Sequence, residues 1–276
     1  MSKLIAAIIT YYPEKTLLQM NINAILPFVD KLILWENTPI EDSFRFRWFR
    51  ESDKIKYETF GYNVGISSAL NAVIDKYSKE YEYILTMDQD SKFENFRLYR
   101  DKCKERLEKE EAIIGPAINT INTLDEFMYI PTYVITSGVF TRISTLQKIG
   151  GYFEDFKVDA IDLELCQRAH LNNIPVLRYM GCNLVQQFGN ESSVKIFGRK
   201  IVTCGYSPFR LEGIFRNHII AYRMYKSDYI KKMIYIYYRH IIPGIIFVDK
   251  QKGSKLWAII KGTYNGLYKK LRGWRQ

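Results

Sequence analysis

The chain has 276 residues, enough for one large domain or for one domain with an extension. Its 47% hydrophobic and 25% charged content excludes a disordered chain. No apolar run approaches the roughly 18 residues a membrane span needs. The net charge of +10 is lopsided. Residues 1–210 hold 26 Lys and Arg against 27 Asp and Glu, while residues 211–276 hold 14 against 3, so the tail carries the basicity.

Taken in chain order, the opening MSKLIAAIITYYPEK has a single Lys and no small-residue cleavage site. It reads as a first strand, KLIAAIIT, and not as a signal peptide. After Pro13, TLLQMNINAILPFV has apolar residues at helical spacing, and KLILWENTP is a second strand closing in a turn. DKIKYETFG is a third strand, NVGISSALNAVIDKYSKE a second helix, and YEYILTMDQD a fourth strand. Units of about 25 to 30 residues in which strand and helix alternate predict a parallel α/β sheet with helices on both faces. Such crossovers put their loops at the carboxyl ends of the strands, where open sheets bind ligands.

Further along, RLYRDKCKERLEKEE is a charged helix and AIIGPAI a strand. TYVITSGVFTRISTLQKIGGYFEDF reads as a strand, a small-residue turn and a short helix ending at Gly150-Gly151. VDAIDLELCQRAHLNN is a helix with Ile161, Leu165, Cys166 and Ala169 on one side, and IPVLRYMGCNLVQQFG a last strand or hairpin. No repeat or low-complexity linker interrupts the series. Cys103, Cys166, Cys182 and Cys204 form no CxxC pair and suit buried thiols in a reducing compartment.

Three groups of residues could carry chemistry. Asp88 and Asp90 leave an apolar strand two residues apart, so they repel unless a cation lies between them. A hard divalent ion held with water and diphosphate oxygens would neutralise them; a turn or cap is the other reading. Asp159, Asp162 and Glu164 sit at a helix start, where the helix dipole favours acids. Glu164 and Arg168 are spaced to pair, and one of the carboxylates could act as a general base. Gly65 and the small residues after it open a helix whose N–H groups could meet phosphate, though neither a P-loop nor GxGxxG is present. Thr136-Ser137-Gly138 offers hydroxyls and close backbone approach, or simply a turn.

Together these segments resemble the inverting glycosyltransferases of family 2, and within them the bacterial rhamnosyltransferase-like branch. The resemblance runs nearly the whole length. AAIITYYP is similar to a first strand ending T-Y-N-P, NVGISSALN to an N-x-G-x-A-x-A-x-N stretch, and MDQDS to the metal motif. ITSGVF…IGGYFEDFKVDAIDLELCQR is similar to I-T-S-G…I-G-x-F-D-E…I-D-x-V-D-x-E-x-C-x-R, while RLEGIFRNHI and IIKGTYNGLYKK resemble the C-terminal segments. The resemblance implies a GT-A fold: a Rossmann-like, mixed and mostly parallel sheet with helices on both faces. A catalytic domain over 1–210 would precede a basic, aromatic-rich helical extension over 211–276.

By the same resemblance Asp90 is the main ligand of Mg²⁺ or Mn²⁺, and Asp88 touches that ion or the nucleoside sugar. Asp162 is the catalytic base, supported by Glu164 and Arg168, with Asp159, Thr136, Ser137 and Gly138 toward the acceptor. Thr10, Tyr12 and Glu36 line the nucleotide base, and Asn63 and Gly65 lie beside the donor. Glu36 stands where the family usually has Asp. Gln186, in Gln186-Gln187-Phe188-Gly189, stands where the family commonly has a metal-reaching His. His218, after the RN of RLEGIFRNHI, is expected to be structural. The donor expected is a dTDP- or UDP-sugar, in the first instance dTDP-β-L-rhamnose. The acceptor expected is a glycan or a polyprenyl-diphosphate-linked sugar of bacterial O-antigen or capsule.

The tail interleaves Lys and Arg with Tyr, Ile and Trp. This suits amphipathic helices on an anionic membrane surface, on the inner face of the cell membrane for a cytoplasmic enzyme. Packing on the catalytic domain and a dimer contact are the other readings. No nucleic-acid recognition motif accompanies it. Two rival functions are a nucleotidyltransferase, which would need a glycine-rich basic loop that TYYPEK does not supply, and a non-catalytic membrane-binding protein on the same scaffold.

Overall fold

The computed structural model describes residues 2–44, 52–121, 124–187, 189, 192–196 and 198–270; the last six residues of the basic tail lie outside this set. By contacts the chain divides into two compact units, one of residues 1–157 and 161–187, the other of residues 158–160 and 188–276. The division at 187/188 comes before residue 210, where the charge shifts.

The first unit contains β1 (Leu4–Thr10), β2 (Lys31–Glu36), β3 (Ile55–Glu58), β4 (Tyr83–Asp88), β5 (Lys92–Phe93), β6 (Ile113–Ile118), β7 (Phe127–Tyr129), β8 (Phe140–Arg142) and β9 (Val176–Val185). Its helices are α1 (Lys15–Ile25), α2 (Ile66–Tyr77), α3 (Phe96–Lys109), α4 (Ile143–Lys148) and α5 (Ile161–Leu171). The strands form one mixed sheet in the order β3-β2-β1-β4-β8-β6-β9-β5, with β7 paired to β9. Strands β3, β2, β1 and β4 run parallel, and antiparallel β8 joins them to the parallel pair β6 and β9.

Every residue of β1 is buried, as the central strand of a sheet covered on both sides requires. Leu4, Ala6 and Ile8 pack with Leu18, Ile22 and Ile25 of α1 and with Tyr99, Cys103 and Leu107 of α3. Ile5, Ala7 and Ile9 alternate to the opposite side, where α2 packs against β1. Burying each Leu or Ile is worth about 1.5–3 kcal/mol, so this two-sided core is what holds the unit together. Local signals set the helix starts: the Glu14 carboxylate accepts from the Thr16 and Leu17 amides at 2.9 and 2.8 Å, and the Asn95 side chain from Leu98 N at 3.3 Å.

One expected strand is displaced. TYVIT (132–136) forms no strand; β8 begins after the TSG turn. The Thr86 hydroxyl donates to the Thr136 carbonyl (2.6 Å) and Gly138 N to the Thr86 carbonyl (2.7 Å). The segment is thus tied to β4 through a side chain and a turn, not through a ladder.

In the second unit, β10 (Ser192–Ile196) and β11 (Arg199–Thr203) form an antiparallel hairpin, followed by α6 (Pro208–Tyr225), α7 (Asp228–Phe247) and α8 (Lys252–Tyr268). Leu211, Ile214 and Phe215 of α6, Ile245 of α7, and Ala258 and Ile259 of α8 make its apolar core. Gly262 and Gly266 let α8 lie against α6: a Cβ would come within 2.5 Å of the Glu212 carbonyl oxygen at the first and 2.9 Å of the Arg216 carbonyl oxygen at the second. His218 is buried in this unit, with Nδ1 donating to the Ile214 carbonyl at 2.8 Å, and burial lowers its pKa to about 4. It has the structural role its sequence context suggests. Among the described residues no helix is long and apolar enough to cross a membrane.

Candidate active site

Strand order places the site. From β1 the chain goes outward to β2 and β3, then returns to add β4 on the other side, so the sheet changes direction between β1 and β4. The carboxyl ends of the strands at such a switch point flank a crevice. Register brings three of the expected residues there, with Thr10 beside Glu36 and Ile9 beside Asp88.

The acidic triplet is built into this edge. Asp88 is half-buried and ends β4; Gln89 and the exposed Asp90 form the turn that follows. The Asp88 backbone is held at both polar atoms, its N–H donating to Ser137 Oγ (3.1 Å) and its carbonyl accepting from Asn21 Nδ2 (2.7 Å). Ser137 in turn donates to Ser91 Oγ at 2.7 Å. The TSG turn is therefore coupled to the acidic triplet through the Asp88 backbone. Gly138 has φ +86°, and a Cβ there would lie 2.7 Å from Pro116 Cγ, so the turn requires glycine.

Gln186 reaches the same place from β9. Asn119 fixes its backbone, accepting from Gln186 N (3.0 Å) and donating to its carbonyl (2.8 Å). The Gln186 amide Nε2 donates to Asp88 Oδ2 at 2.8 Å, while Oε1 is buried with no hydrogen-bond partner. Asp88, Asp90 and that amide oxygen are hard, oxygen-only donors, the set Mg²⁺ and Mn²⁺ favour over softer metals. Among the described residues no cluster of three or more His, Cys, Asp and Glu could hold a metal. A cation here would thus draw its remaining ligands from water and ligand oxygens. The unpartnered Gln186 oxygen beside Asp88 fits that arrangement.

Sequence reasoning missed Gln89, the middle residue of the triplet. Its Oε1 accepts from Tyr11 N (2.7 Å) and its Nε2 donates to the Tyr11 carbonyl (3.2 Å), which ties the loop after β1 to the loop after β4. The only sequence signal was an amide placed between two acids at a strand exit. Tyr11 and Tyr12 are half-exposed and meet edge to face at 4.7 Å. Tyr12, at φ +45°, donates its N–H to Thr38 Oγ1 and its hydroxyl to Asp42 Oδ2, both at 2.8 Å. The bond to Asp42 raises its pKa.

Thr10 and Glu36 are fully buried. The Thr10 hydroxyl donates to the Trp35 carbonyl at 3.1 Å. Glu36 Oε2 accepts from Ser43 Oγ (2.6 Å) and Tyr57 OH (2.5 Å), and Oε1 accepts from Phe44 N (3.1 Å). This carboxylate organises the loop after β2. The exposed aromatics at the carboxyl end of β3 are Phe60 and Tyr62, with ring centroids 6.5 Å apart. Asn63 Oδ1 accepts from Gly65 N at 2.9 Å, and Gly65, at φ +88°, caps α2 against the Lys157 backbone, 2.8 Å from where a Cβ would stand.

Asp162 occupies the first turn of α5, half-buried, its Oδ1 accepting from Leu163 N at 2.8 Å. Glu164 is fully buried and receives Arg168 Nε and Nη2, each at 2.7 Å. Arg168 also donates to the Ile149 and Gly151 carbonyls at 2.5 and 2.6 Å, so the pair ties α5 to the glycine turn after α4. Wholly buried Tyr152 experiences the charges of Asp162 and Arg168, and burial is the main cause raising its pKa.

Asp159 belongs to the second unit. It has φ +60° and Ala160 +62°, a conformation that costs energy at Ala. From α6, Arg210 Nε donates to Asp159 Oδ1 at 3.2 Å and Asn217 Nδ2 to the Val158 and Asp159 carbonyls at 2.7 and 3.0 Å. Oδ2 is buried without a partner. Burial raises the Asp159 pKa, and Arg210 opposes the rise.

No protein-family model matches the chain, and no curated protein matches it. Solved structures do. GalNAc-T7, crystallised with UDP, GalNAc and Mn²⁺, is 10% identical with a TM-score of 0.61 over 97% of this chain and 57% of that one. S. aureus TarS, residues 1–349, is 14% identical with a TM-score of 0.53 over 96% of this chain and 71% of that one. The same TarS fragment in complex with UDP-GlcNAc is 12% identical with a TM-score of 0.54, over 95% and 81%. The chain spans little more than half the length of the GalNAc-T7 structure. At these identities the likeness is one of fold: the chain has the GT-A-type glycosyltransferase fold.

Proposed function

We propose that the protein is an inverting, divalent-metal-dependent glycosyltransferase of family 2, in the rhamnosyltransferase-like branch. It would transfer L-rhamnose from dTDP-β-L-rhamnose to a lipid-linked or oligosaccharide acceptor in bacterial surface polysaccharide synthesis. The observation that carries this reading is the meeting of Asp88 and Gln186 at the switch point of the sheet, 2.8 Å apart, with an unpartnered amide oxygen beside them. A second reading, the same chemistry with a UDP-sugar, is favoured by the neighbours crystallised with UDP and GalNAc and with UDP-GlcNAc.

Asp88, Asp90 and Gln186 Oε1 would hold Mg²⁺ or Mn²⁺. When bound, the ion neutralises charge on the departing diphosphate. The protein's own residues do the rest. Tyr11 and Tyr12 offer ring faces for a nucleobase; Thr10 and Glu36, expected to line that base, are fully buried and instead hold the loops that present the rings. Asn63 and Gly65 border the donor at the start of α2. Thr136, Ser137 and Gly138 set the floor beside Asp88, and the family resemblance assigns Asp159 to the acceptor. Asp162 accepts the proton of the acceptor hydroxyl at its carboxylate as that hydroxyl attacks C1 from the face opposite the diphosphate, which inverts the anomer. The buried Glu164–Arg168 pair keeps the first turn of α5 in position. Residues 1–210 would form the catalytic domain and 211–276 the extension, lying on the inner face of the cell membrane.

Transfer assayed across a panel of dTDP- and UDP-sugars tests the reading. Asp162→Asn should lower turnover on the best donor by roughly 10²- to 10⁴-fold and leave donor affinity unchanged. Undiminished turnover in that variant removes Asp162 as the base, and no transfer from any donor removes the enzyme reading altogether.

A further inference from the structure

The second unit contains a cavity of about 590 Å³, lined by β11, the start of α6 and the second half of α7. This is the size of a small-molecule pocket, roughly 300–1,000 Å³. Its wall is mostly apolar, with Ile201, Val202, Leu211, Ile241, Pro243 and Ile245 contributing. Gly244 lets α7 close one side: a Cβ there would stand 2.6 Å from the Val202 carbonyl oxygen. Pro243 offers no N–H to the preceding turn of its helix, so the ladder of α7 is interrupted where it borders the cavity.

Charge is arranged around this apolar interior. Lys200, Arg239 and His240 line the cavity and are exposed. Its single acid, Asp249, is already engaged: Lys255 Nζ lies 2.7 Å from Asp249 Oδ2, both side chains only 8% exposed, and Thr203 Oγ1 donates to the same oxygen at 3.3 Å. Among the described residues lining the cavity no other acid offsets these cations, so the rim presents positive charge beside a chamber of hydrocarbon. A free nucleotide or sugar has no use for such a wall, and a neutral apolar molecule has no use for the rim.

We propose that this cavity binds one hydrocarbon chain of an anionic amphiphile, with a phosphate-type head resting on Lys200 and Arg239. The site is independent of the transferase reading, since binding there needs neither sugar nor nucleotide, and the test below succeeds or fails whatever the outcome of a transfer assay.

Calorimetric titration of the full chain with dodecyl phosphate below its micellar concentration tests the proposal. One saturable site is expected. Inorganic phosphate should give no saturation in the same range, and dodecyl maltoside, with the same chain and a neutral head, should bind at least about 10-fold more weakly. Lys200→Glu and Arg239→Glu, both on exposed side chains, should each weaken dodecyl phosphate by about 10-fold, the effect of a nearby cation on an anionic head. Val202→Trp, which fills the chamber, should abolish binding while both charge variants remain folded. Farnesyl phosphate distinguishes the sources: equal affinity for the two phosphates marks a bilayer lipid, and a farnesyl preference of 10-fold or more marks a prenyl-linked one. The proposal is overturned if dodecyl phosphate shows no saturable binding, if dodecyl maltoside or inorganic phosphate binds equally well, or if the rim and chamber variants bind like the parent chain.

Discussion

Among the buried side-chain oxygens without partners, Gln186 Oε1 and Asp159 Oδ2 belong to residues expected in the site, and burying an unsatisfied polar atom costs about 1–3 kcal/mol. The cost at Asp159 has a defined pH dependence. Its folded pKa is raised by burial, so the protonated form is the one folding favours. Stability from this group is fully present below the ordinary carboxylate value and is lost as pH rises through the raised one. Asp159→Asn keeps the left-handed backbone within reach of the new side chain and removes the charge. We expect the variant to melt about 2–4 °C above the parent at pH 8, on the scale of 1 kcal/mol. The difference should narrow as pH falls toward 4, and activity should drop. A variant that melts below the parent at pH 8 would show that the Arg210 pair outweighs the burial. Legibility at this scale follows chemical type. Asp88, Asp90, Asp162 and the TSG turn are visible in the sequence because acids, hydroxyls and glycine are unusual where they occur. The bonds from Gln89 to Tyr11, Asn21 to Asp88 and Gln186 to Asp88 join residues 78, 67 and 98 positions apart, and amides leave no local pattern.

At the scale of elements, α8 exposes an apolar stripe. Trp257, Ile260, Tyr264 and Leu267 recur at three- and four-residue spacing with exposures of 65%, 58%, 63% and 49%, so they share one helix face. Lys261 lies midway along the same helix, paired with Glu212 at 3.0 Å, Lys269 caps its end, and the region from 211 onward carries 14 cations against 3 acids. An apolar stripe flanked by lysines fits an anionic membrane surface. The full chain should float with phosphatidylglycerol vesicles and not with phosphatidylcholine vesicles. Trp257→Glu with Tyr264→Glu should reduce flotation several-fold; undiminished flotation would assign the contact to another face. Periodicity makes the helices of the first unit legible: α2 and α5 fall within the expected stretches, and α1 and α3 each begin one residue before theirs. It cannot reveal β5 or β7, which have two and three residues and exist only because β9 offers edges to both. TYVIT misleads for a related reason, since its β-branched residues suit a strand but its last carbonyl is taken by Thr86.

For the whole molecule, the alternation of strand and helix makes the α/β class legible, but strand order is not written in any local pattern. The switch between β1 and β4, which creates the candidate site, follows from the order β3-β2-β1-β4. The two compact units part at 187/188, whereas the charge shifts at about 210, because contacts and charge answer to different demands: packing sets the first and solvent or partners the second. In the proposed enzyme the carboxyl end of β4 binds a nucleotide diphosphate through a divalent ion. Titrating UDP and dTDP into the protein with Mn²⁺ or with EDTA, for the parent and for Asp90→Asn, measures it directly. Nucleotide binding should appear only with Mn²⁺ and weaken by about 10-fold or more in the variant, as expected when a metal site loses one of its protein ligands. Equal affinity in EDTA, or an unaltered Asp90→Asn, would mean that no metal-held diphosphate sits at β4.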